Sequence, residues 1–172
     1  GNIIPFDFNF PQSYVHAKLS AQMRDKGYIM AIILKARQEG ISTYVGSRFF
    51  RRCTLFPNQS ATVIADQRKR GGKIFRNIYQ TYDRYLPEQY RPAKRHSRES
   101  NTMTWDTRDN RGLNSTIVVE TAKDAAAARG DTVQMAHVSE FAFWENPEEV
   151  WTSLRQAVPD LGSEIIIEST AN

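Results

Sequence analysis

The chain has 172 residues, 40% hydrophobic, 11% aromatic and 24% charged, which suits one folded domain with a full core and excludes a disordered chain, a collagen-like repeat or a solenoid. No stretch reaches the roughly 18 apolar residues of a membrane helix and no charged-then-apolar leader opens the chain, so neither membrane insertion nor secretion is expected. The single cysteine, Cys53, excludes an internal disulfide and a cysteine zinc cluster and suits a reducing compartment.

The formal net charge of +4 hides an uneven distribution. Residues 66–98 hold ten Lys/Arg against Asp66, Asp83 and Glu88, whereas residues 131–172 hold Arg155 against eight Asp/Glu. A basic block of this kind can serve a polyanion such as nucleic acid, and an acidic tail can serve a metal or a basic partner.

In chain order, residues 2–11 alternate apolar and polar side chains around two prolines and read as an extended lead-in. The spacing of Tyr14, Ala17 and Ala21 predicts a helix over 13–26, stopped by Gly27. Residues 28–34 form a continuous apolar run that reads as a strand buried on both faces. A helix is expected over 41–55, a second buried strand over 61–65 and a long basic helix over 66–86, ending before Pro87. The polar stretch 87–101 reads as a surface excursion. Residues 102–105 and 116–119 read as strands separated by a turn at 110–112. A buried strand over 133–138, a helix over 147–158 and a last strand over 164–168 complete the pattern. Strands alternating with helices predict an α/β fold with a mainly parallel central sheet flanked by helices. The chain starts at Gly1 and stops just after the apolar run Ile165–Ile167, so it reads as a piece of a longer protein.

Three strand ends carry chemistry. The first strand runs into Lys35-Ala36-Arg37-Gln38-Glu39-Gly40-Ile41-Ser42-Thr43 and then a helix, the setting in which a P-loop wraps phosphates. Gly40 and Ser42 fall on the G-x-x-x-x-G-K-[ST] pattern, but Lys35 stands for its first glycine and Ile41 for its lysine. Helix-start N–H groups still suit phosphates, the Ser42 hydroxyl suits Mg²⁺, and either Lys35 or Arg37 can supply the missing cation. The fifth predicted strand ends in Ser139-Glu140, where an acid at the C-terminal edge can orient or deprotonate an attacking water. Ser139 occupies the place of the usual Mg²⁺-holding Asp and can hold the metal only weakly or through water. His137 reads as structural. The last strand ends in Ser169-Thr170-Ala171-Asn172, small hydrogen-bonding residues suited to sensing a γ-phosphate and passing the difference along the backbone.

These motifs, in this order, resemble the ATPase domain of the large terminase subunit of tailed phages, the DNA-packaging motor. Lys35–Thr43 is similar to the family's deviant Walker A, His137–Trp144 to its Walker B and Ser169–Asn172 to its coupling motif. The resemblance implies a P-loop NTPase core of the RecA/helicase-like ASCE type, with residues 1–27 as lead-in and adenine-binding segment and 28–172 as the core. It implies ATP and Mg²⁺ as cofactors, phosphate binding by Lys35, Arg37, Gln38, Glu39, Gly40, Ile41, Ser42 and Thr43 with Arg37 as the main cation, and Glu140 as the catalytic carboxylate that orients or deprotonates the water. It also implies metal contact at Ser42 and Ser139, adenine reading by Gln12 within Phe10-Pro11-Gln12, coupling through Ser169, Thr170 and Asn172, and Arg129 of Ala128-Arg129-Gly130 as an arginine finger toward a neighbouring subunit. Residues 64–67 match a helicase-like motif of the family, without an assigned chemistry. The implied partners are double-stranded DNA, the terminase small subunit, the portal and procapsid and further copies in a ring, in the host cytoplasm; the family's nuclease domain has no counterpart in these residues. Two other readings stay open. One is a helicase-like translocase or remodelling ATPase. The other is a nucleotide-binding scaffold that no longer hydrolyses, suggested by Ile41 and Ser139.

Overall fold

The computed structural model describes residues 6–94, 101–105, 112–123 and 132–170. Six strands, β1 (Ile29–Lys35), β2 (Ser60–Ala65), β3 (Thr102–Trp105), β4 (Ser115–Thr121), β5 (Met135–Ser139) and β6 (Glu164–Thr170), form one sheet in the order β1-β6-β5-β2-β4-β3. The β3–β4 pair is antiparallel and the other pairs are parallel. The C-terminal ends of β1, β6 and β5 therefore lie side by side on one edge of the sheet, where open parallel sheets place their ligands.

Helix α1 spans Phe10–Lys26, three residues longer at its start than the apolar spacing predicts. The extension comes from a capping box: the Asn9 side chain accepts from the Gln12 N–H, the Gln12 side chain accepts from the Asn9 N–H, and Pro11 sits in the first turn. Gly27 ends the helix in the left-handed conformation, at φ 75°. Helix α2 spans Ile41–Leu55 as expected; Phe56 is extended ahead of Pro57, which cannot continue the helix.

The long basic helix is broken into α3 (Arg68–Ile74), a π-helical turn (Phe75–Tyr79) and α4 (Gln80–Tyr85). α3 lies against the sheet at Gly71, where an added Cβ would make ordinary contacts with Val119 at 3.5 Å and the Ala65 side chain at 3.6 Å. Phe75, Ile78 and Tyr79 face the core, whereas Lys69, Lys73, Arg76 and Arg84 stay exposed.

Two apolar layers clamp the sheet. On one face α2 and the π-turn bring Tyr44, Phe49, Phe75 and Tyr79 onto Val63, Ile117 and Ile166. On the other, α5 (Pro147–Ala157) brings Val150 and Leu154 onto Ile64, Val138, Ile165 and Ile167. Each such side chain contributes about 1.5–3 kcal/mol on burial, which makes the sheet a rigid support for the loops at its edge.

The expectation that β1 is buried on both faces is corrected. Ile32 is 79% and Leu34 75% exposed, because the strand order puts β1 at the margin of the sheet, beyond the cover of α5. A continuous apolar run does not distinguish a central strand from an edge strand with one open face. Part of the predicted turn at 110–112, the alanine tract 125–128, Arg129 and Asn172 lie outside the described residues.

Candidate functional site

The loop after β1 turns on two residues of positive φ, Gln38 at 66° and Gly40 at 72°, and Gly40 is the N-cap of α2. No side chain caps that end, so the first-turn N–H groups of Ile41, Ser42 and Thr43 remain suited to an anion. A Cβ at position 40 would lie 2.6 Å from Gln12 Nε2, so that amide would have to shift. Gln12, 4% exposed, donates to the Gly40 carbonyl at 2.9 Å, and Asn9 Nδ2 donates to the Glu39 carbonyl at 3.1 Å. The capping box of α1 thus doubles as a brace for the loop.

Behind the loop stands a buried polar cluster. Lys35, the last residue of β1, lies 3.3 Å from Glu140 Oε1 and 3.9 Å from Glu168 Oε2. Glu140 follows β5 in the left-handed conformation, at φ 56°, a backbone state that costs about 1–3 kcal/mol and is common where a side chain must be aimed. Its Oε2 accepts from the Thr170 N–H at 3.3 Å and the Thr170 hydroxyl at 3.1 Å. Next to it the Ala142 N–H donates to the Ser169 hydroxyl at 3.2 Å, so the ends of β5 and β6 are tied together twice. Partial burial pushes the Glu140 carboxyl up, but the Thr170 N–H, the Lys35 charge and the hydrogen bonds from the Thr170 hydroxyl and Lys35 more than offset it and hold the group below the usual carboxylate range.

Glu168, wholly buried, was not anticipated as a site residue. Its Oε1 accepts from Ser42 Oγ, and from Ser139 Oγ at 3.3 Å, and lies 3.0 Å from His137 Nε2. Burial raises its pKa, and the His137 hydrogen bond and charge, the Ser42 hydroxyl and Lys35 lower it further than burial raises it. His137, read from the sequence as structural, is buried in β5, and its ring reaches the Glu168 carboxylate. Strand register explains the convergence, since Ser139 pairs with Glu168 and Lys35 with Thr170 across the parallel ladders. The available signal was the Glu that interrupts an apolar strand; the missing knowledge was which strands are neighbours.

Of the residues singled out in the sequence, Lys35, Ser42, Ser139, Glu140 and Thr170 come together here. Gln12 braces the loop from its other side, and Arg37 points outward from it, exposed and without an ion pair among the described residues. Ser42 and Ser139 both spend their hydroxyls on Glu168. Asn9 was missed, although Asn9-x-x-Gln12 carries the capping-box spacing.

No protein-family model matches the chain, and no curated protein matches it in sequence. Solved structures do. The HK97 bacteriophage large terminase superimposes with a TM-score of 0.72 at 13% identity over 96% of this chain and 33% of its own. A point mutant of the Thermus phage P74-26 large terminase ATPase domain gives 0.65 at 17% identity over 98% of this chain and 66% of its own. The S. cerevisiae protein dbp5, in a complex with ADP, gives 0.61 at 10% identity over 94% and 43%. The chain thus spans about a third of the HK97 protein's length. At these identities the likeness establishes architecture: this chain has the RecA-like α/β fold of the ATPase domain of phage large terminases.

Proposed function

We propose that this chain is the ATP-hydrolysing motor domain of a phage large terminase, driving double-stranded DNA into a procapsid. The observation that carries the reading is the meeting, at one sheet edge, of an uncapped helix start behind Gly40 with the ion-paired Glu140. The triphosphate would lie against the N–H groups of Ile41–Thr43. Arg37, the loop cation without an ion pair among the described residues, would swing onto the phosphates, because Lys35 is engaged with Glu140 and Glu168. Gln12 has one N–H and one acceptor lone pair left to offer an adenine ring after bracing Gly40.

The donor set fits Mg²⁺, a hard cation that prefers oxygen ligands and needs few from protein when phosphates supply the rest. Ser42 is placed at the helix start, and Glu168 Oε2 is a buried oxygen with no hydrogen-bond donor. Ser42 would hold the ion directly and Ser139 through water, and the ion would offset phosphate charge. Glu140, kept ionised by Lys35 and Thr170, would orient the attacking water and accept its proton. Because Thr170 and Ser169 grip Glu140 and Ala142, a change at the γ-phosphate would pass into β6. Arg129, outside the described residues, would reach a neighbouring copy as an arginine finger. The exposed Lys69, Lys73, Arg76 and Arg84 form a basic face suited to the DNA backbone. The small subunit, portal, procapsid and ring assembly in the host cytoplasm follow from the same reading.

The test is steady-state ATP hydrolysis with and without Glu140→Gln. Hydrolysis is expected to fall about 10²-fold or more with ATP binding retained. Near-normal turnover in the variant would remove Glu140 from the chemistry, and absence of ATP uptake by the wild type would remove the motor reading. Strand separation by the longer protein would instead favour the helicase-like alternative, and ATP binding without any turnover in the assembled protein would favour the scaffold.

A further inference from the structure

We infer that Glu168 is the carboxylate that serves the metal in this chain, delivered from β6 in place of the acid that P-loop enzymes carry on β5, where Ser139 stands. The inference rests on the ATP-binding reading above. Its first support is position. Ser139 and Glu168 are register partners on adjacent parallel strands, so a carboxylate on β6 is presented at the same level of the sheet and on the same face as the missing one. Ser139 donates its hydroxyl to that carboxylate, at 3.3 Å, and the longer Glu side chain makes up the offset of about 4.8 Å between neighbouring strands.

The second support is an asymmetry within the carboxylate. All three of its hydrogen-bonding neighbours, Ser42, Ser139 and His137, are on Oε1. Among the described residues Oε2 is buried without a hydrogen bond, and what faces it is the Lys35 ammonium at 3.9 Å. A carboxylate that only pinned β6 to α2 gains most by sharing its donors between both oxygens, because an orphaned buried acceptor costs about 1–3 kcal/mol. An oxygen kept free of hydrogen-bond donors keeps its lone pairs for a metal ion, which would take the place of the Lys35 ammonium beside it while Lys35 stays paired with Glu140.

The third support is the company it keeps. Ser42, at the second position of α2, is the hydroxyl expected to meet Mg²⁺, and its hydrogen bond to Glu168 places hydroxyl and carboxylate together. One hydroxyl, one carboxylate and phosphate oxygens form the sparse, all-oxygen set that Mg²⁺ accepts while retaining several waters. His137 holds the carboxylate from the core side, the part that outer partners of metal-binding carboxylates play.

The experiment is isothermal titration of a non-hydrolysable ATP analogue into the whole chain, with Mg²⁺ and with EDTA, for wild type, Glu168→Gln and Glu168→Gln combined with Ser139→Asp. Circular dichroism accompanies each. Wild type should bind more tightly with Mg²⁺ than in EDTA. Glu168→Gln should bind as wild type does in EDTA and lose about 10- to 100-fold of affinity in Mg²⁺. The double variant, which returns the acid to β5, should regain most of the loss. Equal metal enhancement in Glu168→Gln and wild type would overturn the inference while leaving ATP binding intact. No binding by wild type in either condition would overturn the nucleotide reading and this inference with it. Should Glu168→Gln fail to fold, Glu168→Asp, which keeps the charge and shortens the reach, is measured in the same way: a reduced Mg²⁺ enhancement supports the role and an unchanged one overturns it.

Discussion

Replacing Gly40 by Ala perturbs the brace between the phosphate loop and α1 at its tightest point. Position 40 sits at φ 72°, where an L-residue other than glycine pays about 1–2 kcal/mol. The new Cβ would stand 2.6 Å from Gln12 Nε2, so the amide must move. Moving it breaks the 2.9 Å bond to the Gly40 carbonyl, worth about 1 kcal/mol, and strains the capping box that Gln12 shares with Asn9. The sum is about 2–3 kcal/mol of lost stability. Urea unfolding of wild type, Gly40→Ala, Gln12→Ala and the double variant measures it. Since Gln12→Ala removes the obstructing amide, Gly40→Ala in that background should cost only the backbone term, about 1–2 kcal/mol. A cost below about 0.5 kcal/mol in the single variant, or additivity of the two changes within about 0.5 kcal/mol, would refute the coupling of the loop to α1.

Arg37→Ala should abolish ATP turnover while leaving the unfolding midpoint unchanged, since Arg37 is exposed and makes no ion pair among the described residues; unchanged turnover would hand the phosphate to Lys35. Glu140 and Glu168 both titrate below the ordinary carboxylate value of 4.5 in the folded protein. Their contribution to stability is therefore complete above pH 4.5 and is lost as pH falls through their lower folded-state values. Unfolding measured across acid pH should show that decline and a shallower one in Glu168→Gln; parallel curves would refute it. Duplex DNA binding should weaken with salt with a log–log slope of about −3 to −4 if Lys69, Lys73, Arg76 and Arg84 each meet a phosphate. Lys73→Ala with Arg76→Ala should flatten it by about 2, and an unaltered slope would move the contact elsewhere.

The run of elements and the order of the three strand-end motifs are legible in the chain alone. Those are local properties: the helix over Ile41–Leu55 lies between a glycine and a proline, and the strands are short apolar runs between turn residues. The basic outer face of α3 and α4 was legible for the same reason, as charges spaced along one helical segment. The tertiary structure decided what period and composition do not encode, namely which strands are neighbours. Ser42 and Glu168 are 126 positions apart and meet only because β6 inserts between β1 and β5. That insertion turns a glutamate of an apolar strand into the hub of the site and joins Thr170 to Glu140. It also leaves Ile32 and Leu34 at an open margin. Alternation along a strand assigns each side chain to a face, whereas the partner across that face is set by the free energy of packing the whole sheet, in which every strand competes for every neighbour.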